Sequence, residues 1–415
     1  MIPIQDYIQH FCKIWEDSSD EFPEFARSYS KNEQLERETN FEHFQKRINE
    51  MQTRGKMLQL RNAPDKSFFP LFKDFLQTVF DFEPEHLNII LSEEFKDVSK
   101  DFFYKAREFG PELTSENIYQ GLRNVWIMNG IQLMMKLPVK ITPSVFAYSM
   151  IYPYSDNLLD SVTIGSKEKS EFSDRFNLRL HGEEIAPQSE TESQLFKLVS
   201  LFEMEYERTQ FPEVYESLYA IQHGQTNSLK MLKSNGLSNQ QILQICFEKG
   251  GSSVLADGYL VAGRLSRQQE QALFGYGIYL QLLDDIQDLK EDIGADTKTM
   301  FSYLSGEDLG KFVNKTIHFG RTALEEMKCF NMPLSNTFLN LMNRSIETMI
   351  IESVGLNDTW YSREFLNELN RFSPLRFDFV RMKRNQSKSQ RLSLFRKYFE
   401  SSSSKPLKVA AFSGF

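Results

Sequence analysis

Three aspartates, Asp284, Asp288 and Asp292, recur at every fourth residue within the stretch from Gln281 to Lys298. On a helix that spacing stacks them along one face, where like charges cost about 0.2–0.5 kcal/mol per pair unless something offsets them. The residues before them, Leu273, Phe274, Tyr279, Leu280, Leu282 and Leu283, are apolar. The acidic row is therefore expected where a buried helix opens into a cavity. A carboxylate there needs a compensating cation. Hard oxygen ligands favour Mg²⁺, which keeps part of its water shell and shares its remaining positions with phosphate oxygens. A second pair, Asp156 and Asp160, stands at i and i+4 at the end of an apolar run from Val145 to Tyr154. Two acidic pairs facing each other across a pocket would clamp a Mg²⁺–diphosphate; the alternative is two solvated helix faces.

The elements that must position these residues read as helices throughout. Helical periodicity dominates and no period-2 run appears, so the fold class is all-α. Met1 to Asn62 is polar with an amphipathic start and is expected to form peripheral helices, ending at the break Arg61-Asn62-Ala63-Pro64-Asp65. Helices are expected over Phe68 to Phe82, His86 to Phe109 and Ser115 to Leu137. Thr142-Pro143 supplies an N-cap and a first-turn proline for the helix that carries Asp156, and Pro153 should kink it. Ser161 to Gln188 reads as loops with a short helix. Further helices open at Ser189 and Phe211-Pro212. Ser238 with Gln241, and Ser266 with Gln269, have the capping-box spacing. Between them, Gly250-Gly251 costs a helix interior about 2 kcal/mol against alanine. Either the helix breaks there and turns a carbonyl toward a cavity, or another helix packs closely on the glycines. Glu307 to Pro374 reads as three more helices. The basic segment Arg381 to Lys397 is a solvated helix or a contact with an anionic membrane surface. Ser401 to Phe415 is a low-complexity tail, expected to be disordered.

Composition narrows the function. A net charge of −9 argues against nucleic acid as the main partner. Hydrophobic residues at 40%, with 36 phenylalanines, suffice for a large core and an apolar cavity. Cys12, Cys246 and Cys329 lack disulfide or metal spacing and suit a reducing compartment. The first twenty residues are too acidic for a signal peptide. No apolar run reaches membrane-spanning length, because Asn124 to Val139 carries Asn129, Gln132 and Lys136. A cytoplasmic location is the expectation. The histidines show no zinc spacing, and His223 reads as a packed helix residue.

Asp284-Asp285-Ile286-Gln287-Asp288 resembles the second aspartate-rich motif of the trans-prenyltransferase and class I terpene synthase superfamily. In that family a diphosphate-binding lysine lies fourteen residues beyond the motif's first aspartate, the position of Lys298 here. Lys249-Gly250-Gly251 is similar to a second diphosphate-contacting lysine, and Gln225 in His223-Gly224-Gln225-Thr226-Asn227-Ser228 to the family's glutamine-bearing helix. Phe146 to Asp160, with Lys249 to Asp257, resembles most closely the large terpene synthases of the class IB type. The likeness spans Ser115 to Met300. One departure is Pro153, where the family's first motif often begins with an aspartate. Another is that Ser161-Val162-Thr163-Ile164-Gly165-Ser166 after Asp160 lacks the paired arginines of the elongating enzymes. Arg54-Gly55-Lys56 lies too far upstream to supply their second-substrate site.

The resemblance implies one large antiparallel helical bundle around an apolar cavity, spanning residues 67–400 and preceded by peripheral helices over 1–66. It implies ionisation of a linear prenyl diphosphate of roughly twenty to thirty-five carbons to a linear or cyclised terpene. Asp156, Asp160, Asp284, Asp285 and Asp288 would hold Mg²⁺, three ions with substrate bound. Lys249, Lys298, Gln225 and Gln281 would contact the diphosphate end, with Asn227 and Ser228 assisting. Phe146, Tyr148 and Tyr152 are the candidate aromatic wall, each alternatively plain core. A homodimer is the assembly the superfamily suggests. The rival readings are a prenyl-chain-elongating or head-to-head condensing enzyme and a non-catalytic helical relative.

Overall fold

The structure is a computed structural model describing residues 1–57, 65–159, 164–232, 236–332 and 335–383, without side chains for 51–57, 65–69, 156, 157, 159, 166 and 335. Asp160, most of the basic segment, the tail from Ser401 and the Arg61–Pro64 break lie outside the described residues. Among the described residues there are helices and turns but no strand. In chain order they are α1 (Ile4–Asp17), α2 (Lys31–Met57), α3 (Asp65–Thr78), α4 (Pro84–Ile90), α5 (Glu93–Phe109), α6 (Ser115–Met134), α7 (Pro143–Leu159) and α8 (Ser166–Leu180). Then follow α9 (Glu190–Glu205), α10 (Pro212–Ser228), α11 (Asn239–Ala262), α12 (Arg267–Gln287), α13 (Leu289–Gly294), α14 (Gly306–Glu326), α15 (Ser335–Leu356) and α16 (Arg363–Leu369).

α11 is the axis of the bundle. Every residue from Ile242 to Val261 is buried except Gln244, Lys249 and Ser253, the mark of a helix enclosed by others rather than amphipathic at a surface. α12 packs along one side of it and α10 along the other, with α6, α7 and α1 also against it. Both capping boxes form: Ser238 and Ser266 each accept from the N3 amide while Gln241 and Gln269 reach back. Gly263, at φ 72°, takes the left-handed conformation that ends α11 and turns the chain into the cap of α12.

The glycine pair resolves in favour of close packing. α11 runs unbroken through Gly250-Gly251. A Cβ on Gly277 of α12 would stand 2.2 Å from the Gly250 carbonyl oxygen, and one on Gly251 would enter the Phe274 ring at 2.4 Å. Likewise α7 continues through Pro153. The proline has no N–H for the Ser149 carbonyl, and that oxygen lies against Gly121 of α6, 2.8 Å from where its Cβ would be.

Elsewhere the architecture departs from the periodicity. The expected helix from His86 is interrupted at Leu91, and α5 starts afresh with Ser92 accepting from Phe95 N–H. The excursion after Asp160 contains a full fifteen-residue helix, α8. The N-terminal region divides. α1 enters the main core, with Phe11 fully buried against Phe274 and Phe319. Its Tyr7 hydroxyl donates to the buried Glu270 at 2.5 Å, which also accepts from Tyr259 and Arg267 at 2.7 Å. α2 and α3 instead share a small separate cluster with Leu375, Phe379 and Val380. No described helix is long and apolar enough to cross a membrane.

Candidate functional site

On α11 the residues Lys249, Ser253 and Asp257 are spaced by four, so they form one ridge along an otherwise apolar helix. α7 faces it with Tyr148 and Tyr152. The Tyr152 hydroxyl lies 2.8 Å from Ser253 Oγ, and the Tyr148 hydroxyl donates to the Ser253 carbonyl at 3.3 Å. Asp156 is one turn beyond Tyr152 on the same helix. The α7–α11 boundary is thus graded: charge at one end, hydroxyls in the middle, a buried acid at the far end.

At the charged end, α12 and α13 bring the acidic row beside Lys249. Burial, and then the neighbouring carboxylates of Asp284 and Glu291, push Asp288 up to about 6; Arg123 and Lys249 pull it back. Burial, then Asp285 and Asp288, push Asp292 up to about 7, again opposed by Lys249. Lys249 is the cation common to this group. Among the described residues, no three acidic, histidine or cysteine side chains are close enough to hold a metal ion by themselves. The donor set nevertheless fits Mg²⁺, which is ordinarily held by one or two carboxylates and completes its shell with water and phosphate oxygens. Mutually repelling carboxylates that are not fully buried, only partly offset by Lys249 and Arg123, are a site for added positive charge.

Several candidates sit elsewhere than expected. Asp285 turns away from the row into the α11–α12 seam. It is 5% exposed, and its oxygens accept from Gln281 Nε2 at 2.8 Å and Cys246 Sγ at 3.5 Å. Burial holds it up at about 7, against the opposing pull of Gln281 and Lys249. Gln281 therefore braces Asp285. Phe146 packs on Phe102 and Phe109 of α5 and is core. Asn227 donates to Glu248 at 2.7 Å and accepts from Lys230 at 2.7 Å. Ser228 Oγ donates to the Gln225 carbonyl, within its own helix end. His223 is largely exposed and contacts Glu248 at 2.8 Å instead of packing inside. The Lys298 backbone N–H donates to the Met231 carbonyl at 3.0 Å, fixing the loop after α13 against the turn after α10.

Tyr148, Tyr152 and Gln225 do line a cleft, of about 720 Å³ with its open mouth included. Its walls are α7, α10 and α8, the last through Phe172, Phe176 and Leu180. From Tyr148 to Ser155 the α7 wall runs about 10 Å. The lining is largely apolar, and Ser155, Ser173, Gln222, Gln225 and Thr226 are its polar residues beside the two tyrosines. Sequence reasoning missed the α8 wall, Arg123 and Glu248. α8 carries its phenylalanines at i and i+4, Phe172 and Phe176; that spacing was the available signal.

Asp257 is fully buried. Asn124 Nδ2 donates to its Oδ1 at 3.1 Å, while its Oδ2 has no partner. Burial drives its pKa well above the usual carboxylate range, with only the Asn124 bond opposing. The folded chain therefore keeps a proton here that the unfolded chain releases above its ordinary pKa, so this group subtracts stability as pH rises from that value. Asp257→Asn removes the dependence. Thermal melts should show the variant gaining on wild type at pH 7, with the difference shrinking toward pH 4; a constant difference would mean an ionised Asp257.

No protein-family model and no curated protein matches the chain. Among solved structures it is similar to the crystal structure of a geranylgeranyl pyrophosphate synthetase from Pyrococcus horikoshii. That likeness has 16% identity and a TM-score of 0.33, over 72% of this chain and 98% of that one. A likeness so slight carries nothing about activity.

Proposed function

We propose that the chain is a Mg²⁺-dependent class I terpene synthase, ionising a linear prenyl diphosphate to a terpene and diphosphate. The observation that carries the reading is Lys249. Its charge acts on Asp285, Asp288 and Asp292 together, at the charged end of the α7–α11 boundary whose Tyr148 and Tyr152 also line the apolar cleft. A ligand matching it has an anionic head and a long hydrocarbon tail.

Asp284 and Asp288, with Asp292 beside them, Asp156 of α7 and Asp160, four residues on in the sequence, would hold the ions. When bound, Mg²⁺ supplies Lewis-acid stabilisation of the leaving diphosphate. Lys249 and Lys298 neutralise diphosphate charge. Heterolysis sends the C–O electron pair out with the diphosphate and leaves an allylic cation. The rings of Tyr148 and Tyr152 present π-faces whose attraction for a desolvated cation is worth about 2 kcal/mol. Loss of a proton to the nearby diphosphate then gives the hydrocarbon, and the apolar cleft excludes water that would quench the cation.

The test is Mg²⁺-dependent diphosphate release from single prenyl diphosphates of increasing length, with hydrocarbon analysis. Asp284→Ala with Asp288→Ala should abolish release. Turnover only with added isopentenyl diphosphate would make the chain an elongating enzyme instead. No turnover with any substrate would overturn an enzymatic role. Because Asp288 and Asp292 hold protons up to about pH 6 and 7, and protons compete with Mg²⁺, activity should rise from pH 5.5 to a plateau near 8. A flat profile would remove these carboxylates from the site.

A further inference from the structure

We propose, on the reading just given, that Glu248 and Asn227 are positioning residues that set the separation between Lys249 and Lys298, the two lysines assigned to the diphosphate. Glu248 precedes Lys249 on α11 and is 7% exposed. Both of its oxygens are taken by α10: Oε1 by His223 Nδ1 at 2.8 Å and Oε2 by Asn227 Nδ2 at 2.7 Å. α10 approaches closely enough for this because of Gly224, whose Cβ would stand 3.1 Å from Lys249 Cα. The contact continues past the helix end. Asn227 Oδ1 accepts from Lys230 Nζ at 2.7 Å, and the next residue, Met231, accepts the Lys298 N–H at 3.0 Å. Leu232 and Thr297 pair alongside as an isolated antiparallel bridge. Thus the backbone bearing Lys249 and the backbone bearing Lys298 are joined through one short relay on the end of α10 and the turn that follows it.

A buried carboxylate with both oxygens occupied binds nothing itself, and an amide engaged on both sides is poorly placed to ligate an ion. Their chemistry is spent inside the protein. What the relay fixes is a distance between two lysine-bearing backbones, which matters because a lysine grips phosphate as a point charge on a flexible stem. Two such stems hold one diphosphate well only when their attachment points are set.

The experiment is a double-mutant cycle read by calorimetric binding of inorganic diphosphate with Mg²⁺, with melting temperatures measured in parallel. Asn227→Ala should weaken binding about tenfold, the scale of a lost supporting contact. In the Lys298→Ala background it should have almost no further effect, because its action runs through Lys298. Glu248→Gln, which keeps the shape but presents an amide to Asn227, should behave likewise and serves if Asn227→Ala fails to fold. Additive losses, or no loss in either variant despite a normal melt, would overturn the proposal while leaving the function standing. A wild-type chain that binds no diphosphate would remove both.

Discussion

Lys249→Met is expected to cut the rate of diphosphate release by about 10²–10³-fold, the cost of removing one preorganised group that meets developing charge, while the melting temperature stays close to that of wild type. The stem is retained, so packing changes little; what goes is the charge. Lys249 lowers the proton affinity of Asp285, Asp288 and Asp292 together. Without it each carboxylate holds its proton to higher pH. The pH midpoint of any residual activity, and of Mg²⁺ binding, should therefore move upward. Steady-state rates across pH check both parts. A rate loss with an unmoved midpoint would place Lys249 on the diphosphate but away from the acids, contrary to the geometry. Lys249→Arg should restore the charge and most of the midpoint, yet less of the rate, since a guanidinium is larger than the ammonium it replaces.

Gly277→Ala is expected to destabilise the fold by about 3 kcal/mol, at the upper end for overpacking a core. The added Cβ would meet the Gly250 carbonyl oxygen at 2.2 Å and the Gly251 Cα at 3.1 Å. Those neighbours are backbone in the middle of the bundle's axial helix, so no rotamer change relieves the contact. The two helices must separate, and the loss is large against a typical total of about 5–15 kcal/mol. Separation would also draw Lys249 on α11 from the carboxylates on α12, so diphosphate binding should fall within the fraction that still folds. Gly294→Ala is the control. Nothing lies within 4 Å of its Cβ position, and alanine there should be neutral or stabilising by up to about 1 kcal/mol. Denaturant melts of the two variants decide it. Equal behaviour would show that the α11–α12 seam is looser than its glycines indicate.

These two variants probe different layers of legibility. The acidic row at Asp284, Asp288 and Asp292 was readable because residue type and the period of four are properties of a short stretch, whereas Lys249 stood out only by the resemblance of Lys249-Gly250-Gly251 to a family motif. A run of like charges after an apolar run announces a site before any neighbour is known. The caps were readable for the same reason: Thr142, Ser189, Ser238 and Ser266 each meet the amide three residues on. The glycine pair was half readable. Its cost to the helix is local, but what repays that cost lies on α12, far along the chain.

The amino-acid sequence by itself thus determined an all-α chain, the order of its helices from α6 to α12, and the acidic and basic residues proposed here for the diphosphate site. Only the tertiary structure decided which neighbours along a helix share a task. Asp284 and Asp285 are adjacent in sequence, but a turn of about 100° between successive helical residues puts Asp285 into the seam with Gln281 and Cys246. Asn227 carries ligand-type atoms, and a carboxylate on another helix occupies its amide. α8 becomes a wall of the cleft because α10 lies beside it, and the charge of Arg123 on α6 acts on Asp288. Spacing fixes a side chain's angle around its own helix; which helix stands at that angle is settled only when the apolar faces have packed.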